Sequence, residues 1–427
     1  MRLTNNQKYH LRNAGLWASY NALTAMFMTP FVLALGASNT EVGLVGALPY
    51  FAILITQIPG VKLLELFTRV QVYTVGTLIG RLSWIPIIIV ALSGRADVIL
   101  VVACLYFIGK FGESLADPAY HTVMGDIAPK KTQGEFYGKR LWIFSFWGTL
   151  AYIFGGFFLG WYGSVLDGFT ILFGLGILFG LYSIRTFRRT NEPVFVKDKK
   201  IKLTDFASMS SQFKYFCWFV GIFHFAFMVA QPFYTVFMLK TLGLSYELFV
   251  LALSVQTITK LASQQWLGRM TDRMGEKLLG FVSLVVLTCV PLLFLLISVD
   301  NLWLLVVAQV LAGLGLAGVG VVLGNLLLDL TPKNHRAVGM AQYTMMLGGT
   351  MAVAPLLGGW IADNVTVVGF SGLPLVFVIS AILMVCSIYF IYQVKEPRGR
   401  KYPLRYLRSF VWHKLRRIMD HGGNHGL

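Results

Sequence analysis

A chain of 427 residues that is 56% hydrophobic and only 13% charged is too apolar to stay soluble as a globular protein. Its net charge of +17 suits nucleic acid or an anionic membrane surface, and the placement of that charge along the chain argues against nucleic acid. Phosphate-binding loops and nucleophile elbows are absent, so nothing resembles an enzyme or an ATP-driven machine, and no cofactor is expected.

A hydrocarbon core about 30 Å thick takes roughly 20 helical residues to cross. Apolar runs of that length predict crossings near 14–36, 41–62, 71–93, 98–121, 140–162, 166–187, 213–239, 245–267, 277–298, 302–328, 337–361 and 371–393. Most are apolar on all faces, as lipid requires. The fold class is an all-α membrane protein, twelve transmembrane helices arranged as two pseudo-symmetric six-helix bundles. Lys and Arg gather in alternate loops and the two tails; Arg95 and Lys240 face the other way, and Arg81, Lys110 and Lys260 fall inside spans. That bias places both termini in the cytoplasm, in a bacterial-type inner membrane or an intracellular membrane derived from it. The first apolar run is too long for a cleaved signal and reads as an uncleaved insertion signal. Cys104, Cys217, Cys289 and Cys386 lie within spans without CxxC spacing and read as packing residues.

The longest hydrophilic interval, 188–212, separates the bundles. The expected organisation is a first bundle over 1–187, a cytoplasmic linker over 188–212, a second bundle over 213–393 and a basic tail over 394–427. The halves resemble each other. Asp126-Ile-Ala-Pro129-Lys130 ends the fourth span, and Asp329-Leu-Thr-Pro332-Lys333 ends the tenth. Pro30-Phe31 with Leu35-Gly36-x-Ser38 in the first span matches Pro232-Phe233 with Leu242-Gly243-x-Ser245 in the seventh. An internal duplication is the architecture of transporters that rock two bundles about a central site.

After the eighth span the chain reads Gly268-Arg-Met-Thr-Asp272-Arg273-Met-Gly275-Glu-Lys277. This resembles the G-x-x-x-D-R-x-G-x-K/R loop of the major facilitator superfamily, whose twelve helices, long central loop and cytoplasmic ends match residues 10–395. The resemblance implies that Gly268 and Gly275 permit a tight turn and that Asp272, Arg273 and Lys277 form a cytoplasmic charge latch. The first half departs from this pattern: Leu64 occupies the place of the acid, and Glu65 and Arg69 are displaced from it. The eleventh span holds Gly348-Gly349-x5-Pro355-x-x-Gly358-Gly359, while the fifth has Gly155-Gly156 without the proline. Close helix packing accounts for such glycines without a transport direction.

The fourth span carries Lys110, Glu113, Asp117 and His121. At 100° per residue they fall within an arc of about 80°, a single stripe. The repeat places Leu316, Gly320 and Gly324 opposite the last three, so only one half has the stripe. A charge near a helix centre costs about 2.5–3.5 kcal/mol on insertion scales, so such groups face a cavity or a partner. Three readings follow. Glu113 and Asp117 bind a cation or exchange protons, with Glu113 the deeper and first choice. Alternatively, Arg81 and Lys110 neutralise them as buried structural pairs. In the third reading, Asp117 and His121 sit at a wet helix end. Carboxylates with an added imidazole suit iron, manganese or zinc, with Asp117 and either neighbour as the unit, because Glu113 and His121 lie about 12 Å apart along the axis.

His224, Asn21, Gln231 and Lys260 are further buried polar candidates for substrate or proton coupling, although a lone histidine such as His224 is more often a packing residue. The tail reads as a basic amphipathic helix lying on anionic lipid or docking an unknown protein, and His413, His421 and His425 give it weak metal-binding capacity. The expected function is alternating-access secondary transport, a proton-coupled symporter or antiporter for a small solute or ion, with a divalent metal such as iron as candidate. Length and layout are also similar to the iron-associated magnetosome-membrane branch of the superfamily. Efflux of organic cations or drugs and a non-transporting sensor or scaffold are the alternatives.

Overall fold

The structure is a computed structural model describing residues 3–93, 97–128, 133–191, 210–331, 336–367 and 370–395. Arg95, Pro129, Lys130, Pro332, Lys333, most of the linker and the tail histidines lie outside the described residues. The predicted crossings occur in order. Helices α1 (Asn5–Leu23) and α2 (Met28–Ala34) make the first, α3 (Asn39–Leu66) the second, and α4 (Arg69–Leu82) with α5 (Trp84–Ala91) the third. Next come α6 (Val98–Ile127), α7 (Gln133–Trp161) and α8 (Val165–Arg188). The second half holds α9 (Ser211–Val236), which runs into a π turn at Phe237–Thr241, then α10 (Tyr246–Met274) and α11 (Glu276–Phe294). It ends with α12 (Trp303–Leu330), α13 (Arg336–Asn364) and α14 (Leu373–Gln393), with a small hairpin pairing Thr366 to Ser371 before α14.

Prolines explain the two broken crossings. Pro30 and Pro86 have no N–H to offer the carbonyls four residues back, so the chain bends just before each. Thr24 leaves helical geometry at φ −122°, ψ −85°, its hydroxyl donating to the Tyr20 carbonyl at 2.6 Å. Ser83 donates to the Gly80 carbonyl at 3.0 Å at the second break.

The duplication is physical as well as textual. Gly36 and Gly243 both adopt positive φ, +94° and +63°, which glycine tolerates best. Two residues on, Ser38 and Ser245 cap α3 and α10 by accepting from backbone N–H groups. Each half uses the same four pairings: α1 on α7 and on α8 corresponds to α9 on α13 and on α14, while α3 and α4 on α6 correspond to α10 and α11 on α12.

The N-terminus, both ends of the linker and the end of α14 share one end of the molecule. There, Asn6 Nδ2 donates to the Asn191 carbonyl at 3.0 Å, and the Lys395 N–H donates to Gln212 Oε1 at 2.7 Å. The halves meet mainly through α3 on α13 and α7 on α10, and they are clasped at the opposite end. Asp363 accepts from Asn39 Nδ2, the Thr40 N–H and the Thr40 hydroxyl, each at 2.7 Å. Lys240 Nζ reaches the Ala37 carbonyl at 2.6 Å. Backbones touch nearby at Gly43 against the Pro355 carbonyl and at Gly359 against Asn39 and Thr40, while the Val250 and Glu247 side chains pack onto Gly156 and Gly160. A methyl at Gly43 or Gly359 would strike backbone atoms of the other half.

Gly43→Ala and Gly359→Ala are therefore expected to loosen this seal while leaving each bundle folded. An overpacking penalty of about 1–3 kcal/mol shifts the balance between closed and open seals by roughly 5- to 150-fold. Spin labels at the exposed Ser164 and Val299, one on each half, should show a longer-distance population in either variant. An unchanged distance distribution would remove the seal from the account.

Candidate functional site

The stripe on α6 has two distinct parts. Glu113 Oε1 accepts from Arg81 Nη1 at 2.8 Å and from the Tyr20 hydroxyl at 2.8 Å, while Glu113 Oε2 pairs with Lys110 Nζ at 2.8 Å. Tyr20 in turn accepts from Trp84 Nε1 at 2.9 Å, and its ring lies 4.4 Å beneath the Arg81 guanidinium. Gly80 makes the room, since a side chain there would occupy the space of the Glu113 methylene. Gly180 gives Arg81 its slot against α8 in the same way. Arg81 has no exposed surface, and its Nε and Nη2 find no hydrogen-bond partner among the described residues. This is the arrangement of the second reading, with Glu113 held between two cations. Both oxygens of Glu113 are engaged by these partners.

Asp117 is different. One turn further along α6 it is half-buried, close enough to feel the charges of Glu113, Lys110 and Arg81, yet it forms no hydrogen bond or ion pair with any described residue. His121, another turn on, is exposed, and its ring sits edge-on to Tyr120 at 5.6 Å. Tyr120 accepts from Arg140 Nε of α7 at 3.0 Å. Pro118 and the Leu115 carbonyl pack against Gly60 of α3, and Ser114 receives a hydrogen bond from Thr56 at 2.9 Å. These contacts fix the rotation of α6 and so the direction of the stripe. The described residues hold no group of three or more His, Cys, Asp or Glu placed to bind a metal ion, so Glu113, Asp117 and His121 are not a preformed three-ligand site.

The remaining candidates separate by partner. His224 is buried, its Nδ1 2.8 Å from the Val220 carbonyl and its ring against Phe223, which is the packing role expected of a lone histidine. Asn21 is half-buried, whereas Gln231 and Lys260 are exposed, and none of the three makes a side-chain hydrogen bond among the described residues. In the loop after α10, Gly275 takes φ +87° and joins α10 to α11, so it forms the turn. Gly268 does not, because it lies inside α10 with open space around it. Asp272 and Arg273 are exposed in the last turn of α10, and Lys277 Nζ lies 4.4 Å from the Tyr392 ring centre. The first half has its own anchor in place of the missing acid. Arg69, 1% exposed, pairs at 2.6 Å with Asp126 of the duplicated segment.

Sequence reasoning missed Tyr20 and Trp84, which complete the Glu113 cluster, and the clasp of Asn39, Thr40 and Asp363. Tyr20 and Trp84 carry a faint signal, because polar-tipped aromatics inside a span need a partner for the OH or N–H. The clasp carries none, since its partners are 323 and 324 positions apart.

Comparison with known proteins agrees with this architecture. No curated protein matches the sequence. Among solved structures, a point mutant of the nucleoside transporter NupG superposes with a TM-score of 0.72 at 15% identity, covering 92% of this chain and 99% of that one. A bacterial homologue of the iron transporter ferroportin in its inward-facing state gives 0.72 at 13%, covering 94% and 100%. A D-xylose–proton symporter gives 0.71 at 16%, covering 93% and 99%. At such identities the likeness concerns the fold alone. The profile of the Major Facilitator Superfamily matches residues 14–225 and again residues 216–417, and the chain belongs to that superfamily.

Proposed function

We propose that this secondary transporter couples movement of its solute to protons through Asp117, with residues 1–187 and 213–393 rocking as two bundles and both termini in the cytoplasm. The observation that carries the reading is the division of labour on α6. Glu113 is fully engaged by Arg81, Lys110 and Tyr20, while Asp117 beside it has no fixed partner among the described residues. Arg81, Lys110, Glu113 and Asp117 together balance two cations against two carboxyls, so protonating Asp117 changes the charge of the cluster by one and binding a divalent cation there changes it by two. A change of that kind in a poorly hydrated place biases one arrangement of the bundles over the other.

For the solute, the pair Asp117 and His121 favours a small cation, with a divalent transition metal the matching class. A carboxylate and an imidazole one turn apart can share one ion whose remaining positions are filled by water. Iron is the first ion to test, given the similarity of layout to the magnetosome-membrane branch. Neighbouring folds include proteins described as an iron-transporter homologue and a bacterial metal transporter, but also nucleoside and xylose transporters, so the fold does not choose.

Proteoliposomes loaded with a metal-quenched dye provide the test. Under an imposed pH gradient, wild-type protein should accumulate Fe²⁺ or Mn²⁺, and Asp117→Asn should fall to the level of empty liposomes while remaining folded. His121→Ala should weaken metal uptake without uncoupling it from the gradient. Unimpaired accumulation by Asp117→Asn would refute the coupling role, and the absence of metal flux in wild type would remove the metal.

The Glu113 cluster makes a separate expectation. Glu113→Gln leaves Arg81 and Lys110 facing each other without a counter-charge, and breaking a buried pair from one side costs about 3–5 kcal/mol. The variant should therefore lose thermal stability in detergent, read by fluorescence-detected size exclusion, whereas Asp117→Asn should melt like wild type. Equal melting of wild type and Glu113→Gln would argue against the structural role.

A further inference from the structure

A second binding feature lies on the outer surface of the first bundle, away from α6. Between α4 and α8, near the end that carries the termini, is a cleft of about 550 Å³ lined by Thr74, Leu78, Leu181, Ile184, Arg185, Arg188 and Arg189. Its two ends differ in chemistry. Leu78, Leu181 and Ile184 make one end apolar, and the exposed Val75, Leu178 and Tyr182 continue that surface outward as expected of a lipid-facing wall. The other end holds three arginines spaced i, i+3 and i+4 at the C-terminal end of α8, Arg189 being its C-cap, which puts them on one face. All three are exposed, none makes a hydrogen bond or ion pair with a described residue, and no acidic side chain is among the described residues that line the cleft.

We infer that this cleft binds an anionic glycerophospholipid of the leaflet at the terminal end. Its phosphate meets Arg185, Arg188 and Arg189, and an acyl chain lies along Leu78, Leu181 and Ile184. Charge complementarity and shape point the same way. Guanidinium groups hydrogen-bond phosphate oxygens in pairs and shed water more readily than ammonium. Basic pockets between transmembrane helices retain acidic headgroups, and the volume lies in the range of ligand clefts. Interfacial snorkelling explains arginines at a helix end, but it does not explain three on one face at the mouth of an apolar cleft. The inference is independent of what the protein transports.

Native mass spectrometry of the full chain in detergent, with phosphatidylglycerol or phosphatidylcholine added, tests it directly. Wild type should retain phosphatidylglycerol in preference to phosphatidylcholine. Arg185→Gln/Arg188→Gln/Arg189→Gln should lower that retention by roughly 100-fold, taking the three residues as independent phosphate contacts. Lys62→Gln/Lys214→Gln/Arg269→Gln, which removes as much charge from exposed sites outside the cleft, should retain the lipid like wild type. Leu181→Trp fills the apolar end without touching charge and should also expel the lipid, which keeps the test decisive if the triple variant fails to fold. Equal retention of the two lipids, equal loss in the control variant, or displacement of phosphatidylglycerol by inorganic phosphate alone would each overturn the inference.

Discussion

Charge inside a membrane must be matched, and the arrangement around Glu113 shows how this chain meets that demand. One carboxylate accepts from two cations and a tyrosine hydroxyl, each at 2.8 Å, and the tyrosine is itself held by an indole N–H. The cluster joins α1, the break between α4 and α5, and α6 into one unit. The break matters, because Trp84 and Arg81 flank Ser83 and so approach Tyr20 from either side of the bend that Pro86 imposes. Beside this cluster, Asp117 forms no hydrogen bond or ion pair with a described residue.

The second constraint is the seal. At the end away from the termini, Gly43 and Gly359 let α3 and α13 touch backbone to backbone, while Asp363 draws three donors from the start of α3. Contact of this kind is dense but local, and hydrogen bonds from neutral groups to an exposed carboxylate are modest and readily exchanged for water. A gate that must open in every cycle needs that balance, with specificity from close fit and little deeply buried polarity. Glu113 is bound more tightly and stays within one half.

Much of the fold was legible in the sequence because lipid imposes a simple rule of length and apolarity. The crossings and the duplication follow from runs of apolar residues and from Pro, Gly and Asp-x-x-Pro signals. The broken first and third crossings were not foreseen, although Pro30 and Pro86 carry the signal. The site was legible in part. Its stripe follows from helical spacing, and pairing of Glu113 with Arg81 and Lys110 stood among the readings. Which carboxyl would be left without a partner was hidden, because that depends on the rotation of α6 set by Gly60, Gly76 and Gly80 on neighbouring helices. Gly268 illustrates the opposite failure, a motif position whose turn role belongs to Gly275 alone.

The central claim is that Asp117, and not Glu113, is the carboxyl whose charge changes during the cycle. Infrared difference spectroscopy of the protein in liposomes, across a pH step with and without divalent metal, observes that event directly through the protonated-carboxyl stretch. The account expects a band that responds to both pH and metal and vanishes in Asp117→Asn. A band that persists unchanged in Asp117→Asn would contradict it.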